Sequence, residues 1–246
     1  MVEKVIEEFD KYTANYDRKV MEINLKYNHS LSVMNLMGEL AFRLGLDKEK
    51  IELARVIGLL HDIGRFEQFK KFNSFSDKNI DHADAGADYL FKEGHIRDFL
   101  ETDKYDSIIE SAIRNHNKLV VSNNLSGDEL LFTKMIRDMD KVDIYKQDAI
   151  NLTFEFNASE VTPEVLMDIK KEKNIDIKKK KTKSDATLVV LSFIFDMNFN
   201  ESYDILVETD NFDLFLSTIE ISEDSENLFR KVKEICFDKI NRGIGD

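Results

Sequence analysis

The chain has 246 residues, 42% of them hydrophobic and 34% charged, with one proline and nine glycines. This excludes a disordered chain, leaves room for one large core or one domain with an extension, and favours long helices over strands and turns. A formal charge of −13 argues against a nucleic-acid polymer as partner, because neutralising phosphates needs a basic surface; a metal centre could still supply local positive charge for a small phosphorylated ligand.

Val2, Val5, Ile6 and Phe9 recur at helical spacing and predict an amphipathic first helix. The acidic N-terminal stretch has no apolar run of the signal-peptide type. A second helix is expected from about Asn24, with Leu31, Met34, Leu36, Met37, Leu40, Ala41 and Leu44 as its apolar face. Asp47 is the expected N-cap of the next helix, with Lys50 where a capping box would place Glu. IELARVIGLLHDIG is apolar nearly all round, which marks a central helix with Gly64 as its C-terminal stop. Residues 65–81 lack sustained periodicity and are expected to form a loop or a few short turns. Phe66, Phe69, Phe72 and Phe75 then read as a patch holding that loop to the core, with stacking on a base as the alternative.

A helix should start at His82, followed by others at about 105–116, 127–152, 163–171, 184–196, 199–208, 211–218 and 223–242. No internal repeat or run of period-two alternation is present. The apolar stretch 186–197 is too short to span a bilayer and contains Asp196, so it reads as a buried core helix. The single Cys236 excludes an intramolecular disulfide and a cysteine-rich zinc site, and reads as a small buried residue. The basic run 170–183 reads as a solvated linker or helix end; the sharper alternative is a loop folding over an active site to meet an anion. A cytoplasmic protein without a membrane partner is expected, with homo-oligomerisation left open.

Four of the five histidines stand in contexts that suggest metal ligation. They are His29 in KYNHSLSVM, His61 beside Asp62 in GLLHDIGRF, His82 in DHADAG and His116 in AIRNHNK; Asp140 follows in RDMDKVD. Imidazole nitrogen with carboxylate oxygen suits Fe, Mn, Zn, Co or Ni, whereas Ca and Mg prefer all-oxygen sites. A carboxylate on an apolar central helix needs a compensating charge, and a cation supplies one. Each residue alone is a weak signal; the order His, His-Asp, His, His, Asp is much more specific. His95, in KEGHIRDF, reads as an ordinary surface or helix-start residue.

With these motifs the chain resembles the HD superfamily of metal-dependent phosphohydrolases over roughly residues 20–150. His61-Asp62-Ile63-Gly64-Arg65 looks like the family's HDIG element, and AIRNH and DMDKVD also fit. The resemblance implies an all-α, HD-domain helical bundle at 1–155 with a C-terminal helical cap at 156–246 packed on it. It implies two divalent transition-metal ions, one held by His29, His61, Asp62 and Asp140, the other by Asp62, His82 and His116. A bridging hydroxide would then attack phosphorus in a small phosphorylated, nucleotide-like substrate. Arg65 and Lys141 would contact the phosphate, and Asp77 and Asp81 would orient His82. No GYP element is present and Asn117 follows His116, which argues against the cyclic-dinucleotide phosphodiesterase branch. Symmetrical dinucleoside tetraphosphate hydrolases share a similar ligand order. The runner-up is the mixed-valence di-iron oxygenase chemistry of other superfamily members, which use the same order; a non-catalytic sensor is a third reading.

Overall fold

The computed structural model describes residues 1–244 and divides the chain into two compact units, Met1–Asp140 and Lys141–Asp246. The first holds α1 (Val2–Thr13), α2 (Met21–Arg43), α3 (Lys48–Leu60), α4 (Ile63–Phe72), α5 (His82–Ala87), α6 (Ile96–Phe99), α7 (Asp106–Asn115) and most of α8 (Gly127–Asn151). The second holds the end of α8, then α9 (Pro163–Lys170), α10 (Lys183–Leu191), α11 (Asn200–Glu208), α12 (Asn211–Ser217) and α13 (Glu226–Ile244). The fold is all-α, as expected. Among the described residues its one departure is a parallel two-strand ribbon, β1 (Phe154–Phe156) with β2 (Ile219–Ile221), pairing Phe154 with Ile219 and Phe156 with Ile221. Strands of three residues are too short to show a period of two in sequence.

In the first unit α3 is the central helix. Leu53, Ala54, Val56, Ile57, Leu59 and Leu60 are buried, so it contributes apolar surface on nearly every side. Asp47 caps it, accepting from Lys50 N at 2.9 Å. α3 lies against α2 at Gly58, where an added Cβ would come within 2.8 Å of both Met34 Cα and Val33 O. That backbone contact sets how near α2 brings His29 to the end of α3.

The α3 helix ends at Leu60, and Asp62 (φ −103, ψ 17) makes the corner into α4. Two expectations are corrected here. Residues 63–72 form a helix, and the loop is confined to the segment after it. Phe66 anchors that helix among Phe9, Tyr12 and Tyr16, with the first of these rings 5.9 Å away, and Gln68 is buried beside it. Gly64 is no helix stop: it lies inside α4, where a Cβ would meet His82 O at 2.3 Å and Gly86 N at 2.7 Å. Its missing side chain lets α4 and α5 touch backbone to backbone. Of the other phenylalanines, Phe69 packs on Phe75 at 5.1 Å, and Phe72 is exposed.

In the second unit, Leu188 to Leu191 and Ile194 are buried, and a capping box between Thr182 and Asp185 starts α10. Cys236 is fully buried, as read. In the basic run, Lys170, Lys171, Lys173, Lys178, Lys180, Lys181 and Lys183 are exposed, while Lys179 and Lys183 pair with Asp168 and Glu155. No helix among the described residues is long and apolar enough to cross a membrane.

Candidate metal centre

Six side chains from five elements converge in the first unit. α2 brings His29, the α3–α4 corner brings His61 and Asp62, α5 brings His82, the C-terminus of α7 brings His116, and α8 brings Asp140. All four imidazoles are buried, and Asp62 is 3% exposed at its side chain.

The cluster has two halves that meet at Asp62. On one side His29 Nε2 is 3.2 Å from His61 Nε2 and 3.0 Å from Asp140 Oδ1, and both imidazoles lie 3.7 Å from Asp62 Oδ2. On the other side His82 Nε2 is 3.0 Å from His116 Nε2, with the two at 3.3 and 3.6 Å from Asp62 Oδ1. The two carboxylate oxygens therefore face different histidine pairs.

The tautomers follow from the partners. His61 Nδ1 lies 2.8 Å from Gly58 O, and His116 Nδ1 lies 2.7 Å from Ile113 O. A carbonyl only accepts, so each Nδ1 donates, and in the neutral ring each Nε2 presents a lone pair. His82 Nδ1 donates likewise to Asp77 Oδ1 at 2.8 Å. His82 and His116 thus turn lone pairs toward each other across 3.0 Å. That contact is repulsive unless a cation sits among them, and nitrogen with carboxylate oxygen is a donor set for a divalent transition metal. Two overlapping groups, His29-His61-Asp140 and His61-Asp62-His116, have ligand atoms close enough together to hold an ion. The residues fit a metal.

The protonation states agree with this. Burial pushes the Asp62 carboxyl up, but the Lys26 ammonium and the surrounding imidazoles outweigh it and hold it well below the ordinary carboxylate range. Asp140 is opposed by burial in the same way and held well down by His29 and His61. Burial lowers His116 to about 4, against the pull of Asp62, so it is a neutral donor at neutral pH.

The supporting contacts include several the sequence reading missed. Gln68 donates from Nε2 to Asp77 Oδ1 (3.0 Å), Ser76 O (3.3 Å) and Ile80 O (3.0 Å), which folds the loop after α4 onto that helix. Arg137 donates to Asn115 O at 3.0 Å, to His116 O at 3.2 Å and to Lys118 O; a buried guanidinium thus closes the C-terminus of α7 and fixes His116. Lys26 Nζ lies 2.8 Å from Asp62 Oδ2. Its only sequence signal was its place one turn before His29 on the same helix face.

The expected auxiliary residues divide. Asp77 touches the His82 ring as expected. Asp81 does not: it caps α5 through Ala83 N and Asp84 N and binds Lys118 at 2.6 Å. Arg65 Nη1 donates to Gln68 Oε1 (2.8 Å), Phe75 O (2.7 Å) and Asp77 Oδ1 (3.0 Å), while its Nε is 3.7 Å from Asp62 Oδ1. Lys141 opens the second unit, and its buried ammonium is 2.6 Å from Asp196 Oδ2. His95 is half-exposed at the start of α6, pairs with Asp98 and stacks on Tyr89 at 4.3 Å.

The family model described as HD domain matches residues 27–149, half of the chain, and this span contains all six clustered residues. The chain belongs to the HD-domain family. No curated protein and no solved structure matches it. HD domains form a family of metal-dependent hydrolases, and HD-domain proteins bind divalent metals. The histidine and aspartate groups of this HD-domain protein are compatible with that chemistry.

Proposed function

We propose that this HD-domain protein is a metal-dependent phosphohydrolase acting on a small phosphorylated, nucleotide-like substrate, and that its centre is dinuclear. One ion would be held by His29, His61, Asp62 and Asp140, the other by Asp62, His82 and His116. The observation that carries the reading is the division of Asp62: Oδ2 faces His29 and His61, Oδ1 faces His82 and His116. A single carboxylate set between two imidazole pairs is the arrangement a shared ligand requires.

Divalent ions held there would lower the pKa of water and draw charge from a phosphoryl oxygen. The chain's own residues prepare for this. Asp62 and Asp140 stay ionised, so no proton has to leave them before they serve as ligands. The Gly58, Ile113 and Asp77 acceptors fix three imidazoles with Nε2 inward. Arg65 brings a guanidinium to 3.7 Å from Asp62, which supports a role for its charge at the edge of the centre. Lys141 is held by Asp196, so a substrate role for it requires that pair to exchange.

The test is phosphate release by anaerobically purified, metal-analysed protein against nucleotides and phosphomonoesters, with Mn, Fe, Co and Ni each supplied. Release that vanishes in Asp62→Ala is expected. In Arg65→Ala and Lys141→Ala turnover should fall while metal content holds. Oxygen consumption without phosphate release by iron-loaded protein would overturn the hydrolase reading in favour of the di-iron oxygenase.

A further inference from the structure

We propose that Lys26, with Arg65 and Phe75, forms an anion-binding rim on the metal centre, and that Lys26 receives the negative charge of a phosphate-bearing ligand. The inference rests on the metal-hydrolase reading above and adds a recognition element to it.

Lys26 joins the interior of the cluster to its outside. Its ammonium is 2.8 Å from Asp62 Oδ2, yet its side chain is 21% exposed where that of Asp62 is 3% exposed. Lys26 Nζ lies 5.7 Å from the centre of the Phe75 ring, and Arg65 Cζ lies 5.8 Å from the same ring. Two cations therefore border one half-buried aromatic face next to the shared carboxylate.

The charges favour such a rim. Two carboxylates, Asp62 and Asp140, lie within the cluster, and the chain carries a formal charge of −13. Divalent ions at the centre would attract a phosphate at short range, and a cation at the entrance extends that attraction outward against the acidic surface. Arg65 is the less adaptable of the two, because one nitrogen already serves three acceptors. Lys26 has a flexible stem and a rotatable ammonium suited to a phosphate oxygen.

Its partner is also the atom that ligation would claim. Asp62 Oδ2 is the oxygen facing His29 and His61, so a divalent ion held by that pair competes with the ammonium for it. Two cations on one oxygen repel each other, and the weaker claimant becomes available to an incoming anion. The ligand class that fits is a phosphate ester or anhydride whose apolar or planar part meets Phe75.

The experiment compares wild type, Lys26→Met and Lys26→Arg. Mn²⁺ uptake is measured by elemental analysis, inorganic phosphate binding to the Mn²⁺-loaded protein by calorimetry, and folding by melting curves; Lys26→Gln replaces the Met variant if that one does not fold. Mn²⁺ uptake should be unchanged or tighter in Lys26→Met, because a competing cation is gone. Its phosphate affinity should fall about tenfold, the effect of a charge-assisted hydrogen bond, with Lys26→Arg within a few-fold of wild type. Equal phosphate affinity in the folded variants overturns the proposal and leaves the metal reading standing. Loss of Mn²⁺ together with phosphate in Lys26→Met overturns it too, since Lys26 would then only be holding Asp62 in place. A wild type that takes up no Mn²⁺ removes the metal reading itself.

Discussion

Asp77 Oδ1 and His82 Nδ1 lie 2.8 Å apart, so this imidazole is anchored by a loop side chain, whereas His61 and His116 are anchored by carbonyls three residues before them. Asp77 is itself held by Arg65 and Gln68. Burial raises its carboxyl, but His82, Arg65 and Gln68 outweigh that and keep it ionised. Replacing Asp77 with Ala should weaken metal binding about 10- to 100-fold, the usual effect of losing a partner behind a ligand. The loss should fall on the His82–His116 half. Metal titration followed by elemental analysis checks it: one ion retained and one lost is the expected result, and undiminished uptake of both would show that the loop contact is dispensable.

Gly64→Ala should destabilise the protein by about 1–3 kcal/mol or more, since the new Cβ would fall 2.3 Å from His82 O, and backbone cannot swing aside as a side chain can. Urea unfolding measures this. Because the displaced carbonyl belongs to His82, metal uptake should fall in the same variant even where it remains folded.

The metal-free protein should lose stability as pH falls from about 6.5 toward 4. His116 is lowered to about 4 in the folded chain from 6.5, so between those values the unfolded chain binds more protons. Stability therefore rises with pH through this window, with a slope of at most roughly 1.4 kcal/mol per pH unit from this group. Denaturant midpoints across the window should show the slope, and His116→Gln should flatten it.

Cys236 should resist thiol reagents in the native state. Burial pushes its pKa from 9.0 up to about 12, so the reactive thiolate is scarce and covered. Labelling should appear only with denaturant and track global unfolding. The same shift means that the folded chain keeps a proton the unfolded chain gives up, so this contribution to stability is complete below about pH 9 and declines above it.

Much of the scaffold was legible because local chemistry dictated it. Asp47 before an apolar run could hardly be anything but a cap, and the helix expected at His82 does open there, with Asp81 serving as its cap in place of the role expected for it. His61 and Asp62 were legible as polar groups following an apolar run on a central helix, and the other four through the order of the ligands and the resemblance that order carries. The α4 helix escaped because its buried face mixes Gly64, Phe66 and Gln68, and a buried glutamine breaks the periodicity that marks amphipathic helices. Gly64 was misread because a glycine that ends a helix and one that admits a neighbour look alike in one dimension. Lys26 and Arg137 were hidden for a related reason: an isolated cation on a helix reads as solvated, and only the packing shows that each serves a buried acceptor.

The position of Asp62 at the corner between α3 and α4 has a consequence for how metal preference could be altered. On the proposed two-ion reading, a ligand shared by two halves and mounted on a bend would couple them mechanically: any rotation at the corner re-aims both oxygens together. Neither half can then be retuned through Asp62 without disturbing the other. Independent adjustment is left to the private ligands, and among these His82, whose anchor is a loop side chain, is the most open to change.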